Sequence, residues 1–281
     1  MIRISVLRRV PEVTNDMNDY GIAMSLLAII YLAFAATLFV YQKKLIFFPP
    51  KPDYLSYARW KASEITIPSG ADILQAWRVI NQDYTSNRTL VYFGGNAEDV
   101  SGNLPDAKKY AASVVYFVNL CGYGSSTGKP SQDAFYKNSL DIYDYLVKKE
   151  RIQPDSIIIM GRSLGSAVAV YLNANKGAKG LILVTPFYSI INLAPVAMRL
   201  LFPLHIMLKH KFDNIKYIRN INNRVLILAA SNDEVISEGS TKSLAQAVSG
   251  NSKYVVVKNT NHQTIANDSY YLEINNFINR L

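Results

Sequence analysis

The sequence has little of what metal sites and disulfide frameworks require. One cysteine, Cys121, among 281 residues excludes an intramolecular disulfide and leaves the redox compartment open, so the thiol is read as a packed side chain. Histidine is almost as scarce. His205, His210 and His262, with no His-Glu-X-X-His and no Cys-X-X-Cys, offer no metal-ligand spacing, and no metal is expected. Acidic residues are the minority charge, 21 against 30 Lys and Arg, which gives a formal net charge of +9 at pH 7. The basic residues are scattered and form no nucleic-acid-binding motif, so nucleic acid is not expected and a membrane surface is the better partner. There is no internal repeat and no low-complexity tract. A hydrophobic share of 49% over this length suits one large domain with a substantial core.

Charge is missing altogether from Tyr20 to Gln42, "YGIAMSLLAIIYLAFAATLFVYQ". At about 1.5 Å per residue its apolar part reaches about 30 Å, the thickness of a bilayer core, and Lys43 and Lys44 then end the span. A signal peptide competes with this reading, because Arg3, Arg8 and Arg9 precede the run and Ala33-Phe34-Ala35 resembles a cleavage site. The run continues through Leu38, Phe39 and Val40, longer than an ordinary signal core, and favours an uncleaved anchor. A buried core helix would carry a polar stripe, which is absent. The expected organisation is a tail over 1–20, a transmembrane anchor over 21–42 and one domain over 43–281. Arg3, Arg8 and Arg9 on one side stand against Lys43, Lys44, Lys51, Arg59 and Lys61 on the other, a count that leans toward a single-pass protein with its large domain in the cytoplasm.

Beyond "LIFFPPKPDY", whose prolines end any helix, strand-like and helix-like segments alternate. Eight strands are expected: 64–68, 73–81, 89–93, 114–119, 157–160, 180–184, 225–229 and 254–257. The first two are separated by a hairpin-like break, and helices are expected at 133–149, 163–175, 238–248 and 268–280. This order implies an α/β fold, an eight-stranded, mostly parallel sheet flanked by helices, with functional residues on loops at the carboxyl ends of strands.

Within it, "IIIMGRSLGSAVAV" places Ser163 where a buried strand meets a helix of small residues. Such a join suits a nucleophile elbow, since Gly161 and Gly165 let strand and helix approach. A serine hydroxyl needs a base, and the base needs a carboxylate to fix its tautomer. His262, just after the last expected strand, is the candidate base; His205 and His210 fall in an apolar, basic segment with no strand before them. Asp233 and Glu234 are adjacent candidates for the acid on the loop after "LILAA", and Asp233 is preferred.

The order Ser163, Asp233, His262 resembles the α/β-hydrolase superfamily, as do "FGGNAED", "NLCGYGSSTGKPS" and "KFDNIKYIRNINNRVLILAASNDEVIS". With the apolar segment and "KKLIFFPPKPDY", the pattern is most similar to membrane-anchored serine hydrolases that include protein depalmitoylases and uncharacterised bacterial relatives. The resemblance implies the α/β-hydrolase fold, a short lid at about 188–212, no cofactor, and an oxyanion hole from the backbone N–H groups of Asn96 and Leu164. It also shows departures. Gly94 stands where relatives often have His, and Asn119 and Cys121 replace an Asp and an Arg, so the side chains that usually brace these loops are missing and a less rigidly held hole, with altered or slow catalysis, is expected.

The activity implied is cleavage of an acyl ester or thioester, of a lipid or an acylated protein, through an acyl-enzyme on Ser163. A membrane-tethered binding protein on a hydrolase scaffold is the alternative from another class. A serine peptidase is a third reading, although the chain lacks the length for the large accessory domain of related oligopeptidases. The acyl group, the leaving group and the oligomeric state are not fixed by the sequence.

Overall fold

A computed structural model describes residues 14–84 and 86–281, so Arg3, Arg8 and Arg9 of the expected tail lie outside the described residues. The described chain divides into two units, with the boundary after Gln42. Helix α1 (Thr14–Ile46) supplies the first, and from Asp19 to Ile46 it is long and apolar enough to cross a membrane by length and composition. It runs past the uncharged stretch. Lys43 and Lys44 sit in its last turn, where cations complement the helix dipole, and Pro49-Pro50 follow shortly after its end.

The second unit begins with α2 (Tyr54–Arg59), β1 (Glu64–Ser69) and β2 (Asp72–Ile80), then β3 (Thr89–Phe93), β4 (Val114–Val118) and α3 (Gln132–Asp144). Next come β5 (Ile157–Arg162), α4 (Leu164–Lys176) and β6 (Gly180–Val184). Three short helices follow, α5 (Ile190–Leu193), α6 (Val196–Leu201) and α7 (Leu204–Met207). The chain closes with α8 (Asn214–Ile218), β7 (Arg224–Ala230), α9 (Glu238–Gln246), β8 (Ser252–Val257) and α10 (Asp268–Asn279). One eight-stranded sheet has the order β1-β2-β4-β3-β5-β6-β7-β8. The β1–β2 and β2–β4 pairs are antiparallel, and every pair from β4–β3 onward is parallel.

The two-residue period of the strands sorts their side chains into two separate cores. Val91, Phe93, Tyr116, Val118, Ile157 and Ile159 join one, with α3 and α4 residues such as Ile142 and Val168. Leu90, Tyr92, Val115, Phe117, Ile158 and Met160 join the other, with Tyr270 and Ile274 of α10. Because both faces are covered, β5 reads as an uninterrupted apolar run, and truncating one of its isoleucines to Ala should cost about 2–5 kcal/mol.

Two segments depart from the sequence expectation. The helix expected over 133–149 is α-helical only to Asp144 and widens into a π turn over Tyr145–Lys149. Between β3 and β4, Val100–Lys109 forms 3₁₀ turns with an Asp99 N-cap. Gly102 and Pro105 break the hydrophobic period there and hide it from a periodicity search.

Candidate active site

Four loops at the carboxyl ends of parallel strands carry the candidate residues: Gly94–Asn96 after β3, Ser163 after β5, Asp233 after β7 and His262 after β8. Ser163 has φ +50° and ψ −116°, a conformation that an L-residue keeps only when its surroundings impose it. They do so here. Its N–H donates to the Val184 carbonyl at 2.9 Å, and its own carbonyl accepts the Ser166 N–H at 2.9 Å and the Ser166 hydroxyl at 2.6 Å. A Cβ at position 161 would lie 2.3 Å from the Gly165 carbonyl oxygen, and one at position 165 would lie 2.3 Å from that of Phe93. Only hydrogen atoms fit between β3, β5 and α4 at this crossing.

The structure brings Ser163, His262 and Asp233 together from positions 99 and 29 residues apart. His262 Nε2 lies 3.1 Å from Ser163 Oγ, and His262 Nδ1 lies 2.8 Å from Asp233 Oδ2. The His262 and Asp233 side chains are 6% and 3% exposed, so water competes little for this pair. The other Asp233 oxygen accepts the N–H groups of Val235 at 2.9 Å and Ile236 at 2.7 Å. Burial would raise the Asp233 carboxyl, but the bond from His262 and those two N–H groups outweigh it and hold the group below its ordinary value. Glu234 is exposed.

A cavity of about 480 Å³ is lined by Ser163, His262 and Asn96, with Leu164, Phe187, Ile190, Leu193 and Val235 as its apolar part and Glu98, Asp99, Asn103, Arg162 and Gln263 as its polar and charged part. Leu164 opens α4, and first-turn N–H groups have no acceptor within their own helix. The Gly95 N–H is committed to Glu98 Oε2 at 2.7 Å, while that of Asn96 has no backbone acceptor among the described residues. Two N–H donors beside a serine hydroxyl, at the positive end of a helix dipole, can hold an oxyanion.

Sequence reasoning missed the side chains that tie these loops together. Glu98 Oε2 also meets Arg162 Nη1 at 2.8 Å, and Arg162 Nη2 donates to the His262 carbonyl at 2.9 Å. Glu98 Oε1 accepts the Tyr92 hydroxyl at 2.7 Å and the Asn103 amide. The signal was available as two opposite charges, Glu98 two residues after Asn96 in "GGNAED" and Arg162 directly before Ser163 in "GRSLG". This network replaces the bracing expected to be absent. At Gly94 a Cβ would meet Val100 Cγ1 at 2.8 Å, so the loop is packed for the missing side chain. Asn119 is buried and accepts the Val100 N–H at 3.1 Å while donating to Asp99 at 3.0 Å and Gln75 at 3.2 Å. The Cys121 N–H is held by Asn138 at 3.0 Å, and burial pushes the Cys121 thiol up to about 12, which keeps it protonated and inert.

The other histidines are elsewhere. His205 is exposed, and His210 is buried against the Phe47 ring.

No family model matches the chain. Protein bem46 of Schizosaccharomyces pombe is 27% identical over 295 residues, covering 94% of this chain and 93% of its own. The Alpha/beta hydrolase domain-containing protein WAV2 of Arabidopsis thaliana is 27% identical over 232 residues, covering 74% and 75%. Among solved structures, an alpha-beta hydrolase from Vibrio vulnificus superposes with a TM-score of 0.61 at 21% identity over 81% of each chain. The esterase RhEst1 from Rhodococcus does so with a TM-score of 0.61 at 17% identity, over 78% of this chain and 99% of its own. The sheet order, the elbow and these likenesses give the chain the α/β-hydrolase fold.

Proposed function

We propose that this α/β hydrolase is a serine-dependent ester or thioester hydrolase, held at a membrane by α1. The observation that carries the reading is the unbroken hydrogen-bonded chain from Ser163 through His262 to Asp233, at 3.1 and 2.8 Å. In this mechanism His262 Nε2 takes the Ser163 proton as Oγ attacks the substrate carbonyl. The N–H groups of Asn96 and Leu164 hold the oxyanion. The tetrahedral intermediate collapses to an acyl-enzyme as His262 returns the proton to the leaving alcohol or thiol, and a water activated by the same imidazole releases the acid. Asp233 keeps the Nδ1 proton in place and stabilises the imidazolium without taking the proton. No cofactor enters these steps. The domain is 43–281, with the anchor at 21–42 and the lid at about 188–212. The esterase activity named for the Rhodococcus neighbour agrees with this reading.

The apolar part of the cavity wall, Phe187, Ile190, Leu193 and Val235, suits an acyl chain beside a polar and charged part, and we read a lipid or an acylated protein as the substrate. The deciding experiment is fluorophosphonate labelling and p-nitrophenyl butyrate hydrolysis by the full chain in detergent, beside Ser163→Ala and His262→Ala. Both variants should lose labelling and turnover while keeping the wild-type melting temperature, because members of such a unit act together. A wild-type protein that neither labels nor hydrolyses would instead favour a tethered binding protein on this scaffold.

A further inference from the structure

The side chain of Asn96 is held by a segment that no catalytic step uses. Its Nδ2 donates to the Ile46 carbonyl at 2.6 Å, and its Oδ1 accepts the Phe48 N–H at 3.1 Å and the Tyr123 hydroxyl at 2.8 Å. Both lone pairs of the amide oxygen are used, and the pairing with a backbone carbonyl and a backbone N–H two residues apart fixes which way the amide points. The partner segment is itself immobilised. Ile46 and Phe47 are buried, and the Phe47 ring packs edge-on against Phe135, His210 and Phe212 at 5.4, 5.3 and 5.9 Å between centroids. The strap over 46–48 therefore grips the loop after β3 through its backbone and the root of the lid through Phe47.

An amide side chain fixed at three points fixes its own Cα, and with it the direction of the Asn96 N–H. From this we infer that the strap is a positioning element for the oxyanion donor: the chain leaving α1 orients the loop after β3, and Asn96 is the side chain through which it acts. The inference rests on the proposed serine hydrolase reading. It goes further in assigning a role in turnover to residues that would otherwise serve only as a linker.

The test uses the full chain in detergent with p-nitrophenyl butyrate. Asn96→Ala keeps the backbone N–H but releases the strap and the Tyr123 hydroxyl. Phe48→Pro removes the strap's N–H, whereas Phe48→Ala keeps that N–H and loses only a half-exposed ring. Since a misplacement of about 1 Å at a reacting centre can cost about 100-fold, Asn96→Ala and Phe48→Pro should each lower kcat by about 10- to 100-fold with KM changed less than about 2-fold. Phe48→Ala, which keeps the strap's N–H, should lower kcat less than Phe48→Pro does. The double variant Asn96→Ala/Phe48→Pro should be no slower than the slower single one, because both cut the same connection. The inference is overturned if Asn96→Ala retains wild-type kcat, if the two losses multiply, or if the losses appear in KM or melting temperature alone. Should Phe48→Pro fail to fold, the kcat and KM of Asn96→Ala decide by themselves. Absence of Ser163-dependent turnover in the wild-type protein is a separate result, which overturns the hydrolase reading.

Discussion

Arg162 Nη1 lies 2.8 Å from Glu98 Oε2, with the two side chains only 18% and 11% exposed. One ion pair thus joins the residue before the candidate nucleophile to the loop of the candidate oxyanion donor. Through the His262 carbonyl it reaches the base as well. Breaking a fully buried pair costs about 3–5 kcal/mol, but this pair is part-buried and Glu98 would keep its bonds from Tyr92, Gly95 and Asn103. Arg162→Met should therefore lower stability by less than that in urea titration and lower kcat in the remaining folded protein. Glu98→Gln should be milder, since its amide oxygen can still accept one of the Gly95 and Arg162 bonds. Equal and small effects on both would mean that backbone packing alone holds the loops.

Asp233 and its neighbour Glu234 separate by environment. Asp233→Asn should reduce kcat far more than Glu234→Gln, because only Asp233 meets His262 Nδ1 and Glu234 is exposed. The reverse order in steady-state kinetics would move the acid to Glu234.

The lowered Asp233 pKa has a sign that can be measured. A carboxyl with a lower pKa folded than unfolded contributes stability that is complete above its unfolded pKa, about 3.9 for a free Asp, and is lost as pH falls through the folded value. The melting-temperature advantage of wild type over Asp233→Asn should therefore hold from neutral pH to about pH 5 and shrink below about pH 4. An advantage that grows on acidification would contradict the assignment.

The segment over 188–212, proposed as a lid, places its apolar residues in two settings. Leu200 and Leu201 are exposed and Phe202 is buried, whereas Ile190 and Leu193 line the cavity with Ser163. Ile190→Ser/Leu193→Ser should therefore flatten a p-nitrophenyl ester chain-length series. Each buried methylene is worth up to about 0.8 kcal/mol, or about 4-fold in kcat/KM, in the wild type. Equal loss on acetyl and longer esters would remove the acyl-chain reading of this wall.

Helix α1 makes a fractionation experiment decisive. If it spans a bilayer, the full chain should stay with the membrane pellet in high salt and in alkaline carbonate and leave it only with detergent. Release by salt alone would reduce the attachment to surface charge.

The alternation of strand-like and helix-like segments, the elbow at Ser163 and the apolar length of the first helix were legible in the sequence, because each is local. Period, a glycine pair and a run of uncharged residues determine backbone conformation over a few turns, and the eight expected strands fall within two residues of the observed ends. What joins distant loops was not legible. Glu98 with Arg162 and Asn96 with Ile46 and Phe48 are separated by some fifty to sixty residues, and no local propensity encodes which loop tips meet. The sheet order makes β3 and β5 adjacent central strands and so brings their carboxyl-end loops together, and burial there makes an unpaired charge or amide costly. Tertiary structure therefore decided how these side chains pair, and with that which residues hold the candidate nucleophile, base and oxyanion donor in register.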